Sequence, residues 1–316
     1  MRDNAITAIK ALAIIGVVLV HSANRRFEDS SREILFAIMV GFRWCVLAFF
    51  AASGWLHARS EAKEAKPGGF VVGRTRRLLV PYFALVMLYS AAWEVVEALA
   101  VCDLRVSRPE SFRGKIAVAL WPMGPEIAGQ LYFLPLLFGI STVLHAALRA
   151  AGVRGVVVLA MLAFATGVAF FPHTAGTGMN PGVFVWGVFS YAAGYLLFLY
   201  RNPRQRTRGL LVCAALLLIW IGPAALLKLV PIALVTFAGA LRLEVWTPLH
   251  RIGDASGTIF AYHSPFLQGT LLITASLLPG VTLQVVGALT ATAVTILVCC
   301  GLHSWLRNTS LRWVLL

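Results

Sequence analysis

Apolar runs of about 17 to 25 residues recur along the whole chain, with only short polar loops between them. The hydrocarbon core of a bilayer is about 30 Å thick, and about 20 residues of helix cross it. No water pairs with the backbone there, so a run of this length satisfies its own N–H and C=O groups by coiling into a helix. Ten such runs can be drawn, at residues 5–22, 35–58, 78–100, 131–148, 155–171, 182–200, 209–226, 229–242, 256–275 and 281–303. The eighth is short and flanked by proline; without it the count is nine and the C-terminus moves outside. The expected fold is an all-α integral membrane protein with about ten transmembrane helices in one bundle. No loop is long enough to hold a separate domain, so residues 1–316 form a single membrane-embedded unit. With 59% hydrophobic and 13% charged residues, and a mean hydropathy of +0.81, a soluble enzyme with a large core is excluded.

The charge pattern sets the expected orientation. With the N-terminus inside, seventeen Lys and Arg residues fall on the inner side and eight on the outer, with Lys10 and Arg43 left within runs. With ten runs, that asymmetry puts both termini on the cytoplasmic side, and a bacterial inner membrane is the expected location. The net charge of +14 is spread over loops that flank apolar runs, where anionic lipid headgroups account for it, so no nucleic-acid partner is expected. Cys45, Cys102, Cys213, Cys299 and Cys300 have neither metal-ligand spacing nor a paired framework, and no metal is expected. The first run is too long, and too polar at its ends, for a cleaved signal, and it stays as the first helix.

Ionisable groups inside such runs cost a few kcal/mol unless they meet a partner or a cavity, so each is a candidate site. In AIKALAIIGVVLVHS, residues 8–22, Lys10 and His21 stand eleven residues apart. That is about 16 Å and close to three whole turns, so both lie on one helix face. Either Lys10 snorkels to the headgroups and His21 caps the helix, or the face is functional. In the third run Glu94 and Glu97 share a face beside Trp93, and Arg43 of the second run lies at similar depth. Glu94 either pairs with Arg43 or orients His21 or a substrate hydroxyl. His263 in IFAYHSPF precedes Pro265, which frees a backbone carbonyl; that histidine is either an interhelical hydrogen-bond partner or a reactive group. His145 and His303 fall at the inner interface, without a role. RTRRLLVPY sets Arg74, Arg76 and Arg77 at the inner end of the third run, where positive-inside placement explains them and where guanidinium forks also suit an anionic cofactor. No P-loop, GxGxxG or zinc signature is present.

Five stretches, in order, resemble the acyltransferase 3 family of polytopic membrane acyltransferases. The first run is similar to that family's first helix, where an arginine and a histidine are separated by ten residues; here the pair is Lys10 and His21. FFAASGWLHAR (49–59) resembles its FFxxSGFLL helix end, and RTRRLLVPY (74–82) its RxxR element, matched by Arg74 and Arg77. GQLYFLPLLF (129–138) is similar to HLWFLPxLL, and GDASGTIFAYHSPF (253–266) to GxxSxxIYLxHxP. Lys10 replaces the arginine, Gln130 a histidine, Tyr132 a tryptophan and Phe260 a tyrosine. Lysine keeps the charge and loses the planar fork.

The resemblance implies transfer of an acyl group, most often acetyl from acetyl-CoA, to a hydroxyl of a sugar in a cell-envelope glycan, a lipid-linked saccharide or a secreted metabolite. His21 is then the general base on the acceptor hydroxyl. Arg74, Arg77 and Lys10 hold the acyl-CoA phosphates, while Ser53, Glu94, Tyr132 and His263 line the cavity or contact substrate. The implied partners are acyl-CoA, a glycan acceptor and membrane lipids. A transporter or flippase of lipid-linked saccharide would share the ten runs, but no inverted repeat is visible. A non-catalytic relative, marked by Lys10, Gln130 and Phe260, is the other alternative.

Overall fold

The computed structural model describes residues 4–23, 34, 37, 40–42, 44–61, 69–98, 129–172, 181–200, 202–220, 223–237, 247–277 and 281–309. Among them there is no strand. The helices are α1 (Asn4–Ala23), α2 (Cys45–Glu61), α3 (Gly69–Arg74), α4 (Val80–Ala98), α5 (Phe133–Phe170), α6 (Pro181–Leu199), α7 (Pro203–Trp220), α8 (Val230–Phe237), α9 (Thr247–Asp254), α10 (Ser256–Leu277) and α11 (Val281–Arg307).

Among the described residues four helices are long and apolar enough to cross a membrane: α1, α5, α6 and the 285–307 part of α11. The 38 residues of α5 are not one rod. Ala151 and Gly152 leave helical geometry, and Gly152 takes φ of 60°, a left-handed conformation that glycine adopts without strain. A Cβ on Gly155 would overlap the carbonyl of Ala147, whereas eight residues of straight helix would hold the two about 12 Å apart. The chain therefore doubles back there into two helices, 133–150 and 153–170, as the runs 131–148 and 155–171 require. The eight described residues of α8 cover only about 12 Å of the run at 229–242. Large apolar side chains such as Met161, Phe170, Leu211 and Leu297 point outward, which suits a lipid surround.

α1 lies at the centre, packed by α2 on one side and by α9, α10 and α11 on the other. It is lined by small residues, and a Cβ on Gly16 would overlap Cys45 and Phe42. A Cβ on Gly253 would likewise overlap the Thr7 carbonyl, which seats the short helix α9 against the start of α1.

The closest crossing is between α2 and α6. A methyl group on Gly54 would overlap the Tyr191 carbonyl, and one on Gly194 the Ala51 carbonyl. Without a hydrophobic effect between helices in lipid, such backbone approach supplies the dispersion contact that holds them. The two helices run in the same direction. Phe50 lies against Gly187, and further along both chains Glu61 meets Tyr195. The second half of α5 returns to this pair, with Gly167 against the Trp186 ring, and the Lys228 ammonium stands over that indole at 4.3 Å. The Lys228 ammonium also donates to the carbonyls of Phe171 and Pro172, closing the end of α5.

We expect Gly194→Ala to destabilise the protein by about 1–3 kcal/mol, since the facing carbonyl cannot give way. Gly209→Ala, with nothing within 4 Å of the added carbon, is the control and should hold or raise stability. Thermal unfolding of both variants in lipid nanodiscs checks this, and equal midpoints would refute the close crossing.

Candidate active site

Two groups of polar side chains stand out among the described residues. The first is a pair of histidines. His21 near the end of α1 and His263 of α10 have ring centroids 5.1 Å apart, tilted by 44°. His263 is fully buried, and its Nδ1 lies 2.9 Å from the Phe260 carbonyl and 3.0 Å from that of Ile259. Carbonyls only accept, so Nδ1 carries the proton and Nε2 of the neutral ring is left with a lone pair. That Nε2 is buried and finds no hydrogen-bond partner among the described residues.

The surrounding backbone explains why this ring stays in place. Pro265 has no N–H, so the Ala261 carbonyl, four residues earlier, loses its helical donor. The Tyr89 hydroxyl of α4 donates to that carbonyl instead. On the other side Ser22 and Thr292, 3.0 Å apart at their hydroxyls, tie α1 to α11 beside His21. An aromatic wall continues from the pair: Phe260 stands 6.2 Å from His263, Phe133 5.0 Å from Phe260, and Phe50 5.0 Å from Phe133. Phe260, where the family signature has tyrosine, thus serves as an apolar packing ring.

The second group lies about 12 Å further along α2 than Phe49, eight residues on. Arg74 donates to the Tyr191 hydroxyl at 3.2 Å, and that hydroxyl is 3.1 Å from Nδ1 of His57. The Glu61 carboxylate only accepts, so Nε2 of the neutral His57 ring carries the proton and Nδ1 accepts from the Tyr191 hydroxyl. His57 Nε2 then donates to Glu61 Oε1 at 3.2 Å, and Tyr195 donates to Glu61 Oε2 at 2.8 Å. A continuous hydrogen-bonded chain runs from a guanidinium to a carboxylate. The imidazole of His145 approaches the same Oε1 at 3.5 Å, and Phe70 stacks on both imidazoles at 4.4 and 4.3 Å.

The residues expected from the sequence fall into separate places. His21 and His263 come together. Lys10 is half-buried on the side of α1 covered by α9 to α11, within electrostatic reach of Asp254 and His303. His303 itself meets Thr258 at 2.8 Å. Arg74 is half-buried in the second group, whereas Arg76 and Arg77 are exposed. The π-helical turn at Thr75–Leu79 separates them: the Val80 N–H reaches back five residues to the Thr75 carbonyl, just before Pro81 interrupts the ladder. Ser53 is half-buried in mid-α2, and Tyr132 is half-buried in the 3₁₀ turn Gly129–Tyr132 that opens α5. The side chains of Glu94, Glu97, Trp93 and Gln130, and all of Arg43, lie outside the described residues, and the expected Arg43–Glu94 pair lies there with them.

The sequence alone does not single out His57, Glu61, Tyr191 and Tyr195, and it gives His145 an interface position without a role. The legible signal was HARSE, in which His57 and Glu61 stand four apart on one face of a helix. What the sequence does not carry is that α5 and α6 bring His145 and two tyrosines to that face.

A family model described as an acyltransferase domain matches residues 3–304 of the chain. No curated protein matches it. No solved structure matches it either.

The pairing of Tyr89 with a carbonyl freed by Pro265 can be tested by a double-mutant cycle. Tyr89→Phe alone should cost about 1–3 kcal/mol by leaving the Ala261 carbonyl buried without a donor. In a Pro265→Ala background the helix supplies that donor and the cost should shrink towards zero. Equal costs in the two backgrounds, from unfolding in nanodiscs, would refute the pairing.

Proposed function

The chain belongs to the acyltransferase family whose domain it matches almost from end to end, and from that membership we propose that it is a membrane O-acyltransferase. It moves an acyl group, acetyl from acetyl-CoA foremost, to a hydroxyl of a sugar in an envelope glycan, a lipid-linked saccharide or a secreted metabolite. The observation that carries the reading is the His21–His263 pair, with a buried lone pair on His263 Nε2.

The chemistry follows from what each group can give and take. A sugar hydroxyl is too weak an acid to attack a thioester unaided. His21 takes its proton as the oxygen attacks the thioester carbonyl. The carbon–sulfur bond breaks as the tetrahedral intermediate collapses, and the departing thiolate recovers the proton from His21. His263 cannot donate to the oxyanion while neutral, because its one N–H is held by carbonyls. It is better suited to accept a hydrogen bond from His21 once that ring is charged, which makes it a positioning residue. Arg74, Arg77 and Lys10 supply positive charge for the acyl-CoA phosphates, with the bidentate fork of arginine favouring Arg74 and Arg77. On this reading the donor enters from the cytoplasmic side of a bacterial inner membrane, where both termini lie, and the acceptor meets His21 nearer the outer side.

Transfer of label from radiolabelled acetyl-CoA to an envelope-glycan extract, by purified protein in nanodiscs, is the test. We expect His21→Ala to lower kcat about 10²–10⁴-fold. Arg74→Ala should instead raise KM for acetyl-CoA about 10-fold or more, as the loss of a charge-assisted hydrogen bond implies. Transfer that persists at the wild-type rate in His21→Ala would end this assignment.

A further inference from the structure

We propose that His57, Glu61 and His145 form a binding site for a divalent transition-metal ion, zinc foremost, apart from the histidine pair to which the acyl transfer is assigned.

The three side chains offer one donor atom each, and those atoms lie within 4.8 Å of one another. His57 Nε2 is 3.2 Å and His145 Nδ1 3.5 Å from Glu61 Oε1. Zinc bound by imidazole nitrogen and carboxylate oxygen at about 2.1 Å in a tetrahedron sets its ligand atoms about 3.4 Å apart. Two edges of the triangle therefore already have the length that coordination needs. Three protein donors leave the fourth position to water.

Hydrogen bonding alone leaves the group incomplete. Glu61 Oε1 is approached by two imidazole nitrogens, but only His57 is placed to donate. His145 Nδ1 is buried and makes no hydrogen bond, although it lies within ion-pair distance of the carboxylate. A cation at the centre would use all three lone pairs at once. Histidine and carboxylate donors without thiolate suit zinc and its neighbours in the first row, not calcium or magnesium, which prefer oxygen.

The outer contacts have the form that metal ligands show. His57, fully buried, meets the Tyr191 hydroxyl at Nδ1, the atom turned away from the metal position, and Glu61 Oε2 accepts from Tyr195. Such partners fix ring orientation and ligand basicity. When Nε2 binds the metal the proton of the neutral ring moves to Nδ1, and the Tyr191 oxygen, with two lone pairs, accepts from both His57 and Arg74. Arg74 stands on the Nδ1 side of His57, so its charge is kept beyond the ring from the metal. Phe70, stacked on both imidazoles, holds the two rings in register.

The test uses the full chain in lipid nanodiscs, with any affinity tag removed and bound metal stripped by chelator. Zinc chloride is titrated against a chelating dye, and cobalt(II) chloride is added to a second sample. We expect one zinc per chain and the strong visible absorption of tetrahedral cobalt, both lost in His145→Ala and in Glu61→Gln with helix content and elution unchanged. Tyr195→Phe, which keeps all three donors, should weaken binding about 10-fold or more. Wild-type protein that takes up no equivalent of zinc overturns the proposal. So does zinc uptake that both ligand variants retain, since the ion would then be bound elsewhere. Acetyl transfer is scored separately, and its failure leaves the metal titration interpretable.

Discussion

The close crossing of α2 and α6 is the contact on which the second polar group depends. Gly54 and Gly194 bring the two backbones within reach of each other, and only then do side chains at the same ends of the helices meet. His57 reaches Tyr191, Glu61 reaches Tyr195, and the buried Tyr191 passes the link on to Arg74. A larger residue at either glycine would force the helices apart and lengthen all these contacts together. In lipid, where apolar surface alone gives helices little reason to associate, packing of this kind and a few interhelical hydrogen bonds do the joining.

The same scarcity of water shapes the histidine pair. Pro265 takes away one backbone donor in α10, and the resulting orphan carbonyl is met by Tyr89 from another helix. His263 spends its proton on carbonyls of its own helix. The outcome is an imidazole whose Nε2 lone pair is fixed in direction. Preorganisation of this sort avoids turning a buried group at the moment of reaction.

What the sequence made legible follows from length and periodicity. Apolar run length locates the helices long enough to cross a membrane, α1, α5, α6 and α11, and the break between 148 and 155 coincides with a reversal that Gly152 permits. The eleven-residue spacing of Lys10 and His21 put them on one face, and both do face helices from the C-terminal third: Lys10 towards Asp254, His21 towards His263. Spacing within one helix carries no information about which helix lies opposite. The second group therefore stayed hidden, because its members come from α2, α5 and α6 and the residue just before the π-helical turn. Glu61 and His145 each look like interfacial residues when taken singly, and only their convergence gives them a chemistry. Arg74 and Arg77 show the converse: a regular helix keeps residues three apart on one face, and the π-helical turn next to Pro81 divides them.

The separation of the two groups bears on how acyl transfer would have to work. Arg74 sits in the group whose His57 is about 12 Å along α2 from Phe49, a ring in contact with Phe133 and Phe260, while the histidine pair adjoins Phe260. A donor whose phosphates bind near Arg74 must then deliver its thioester some distance away, past rings that offer no hydrogen bonds. Coenzyme A suits that demand, since a long flexible arm parts its phosphates from its thioester. Apolar rings also exclude water, the competing acceptor for the acyl group. Lys10 fits the same scheme differently from the arginine it replaces: with Asp254 close by, its charge is partly answered from within the protein. The exposed Arg77 and the Tyr191-bound Arg74 would then carry more of the hold on the donor than in relatives with the arginine fork at position 10.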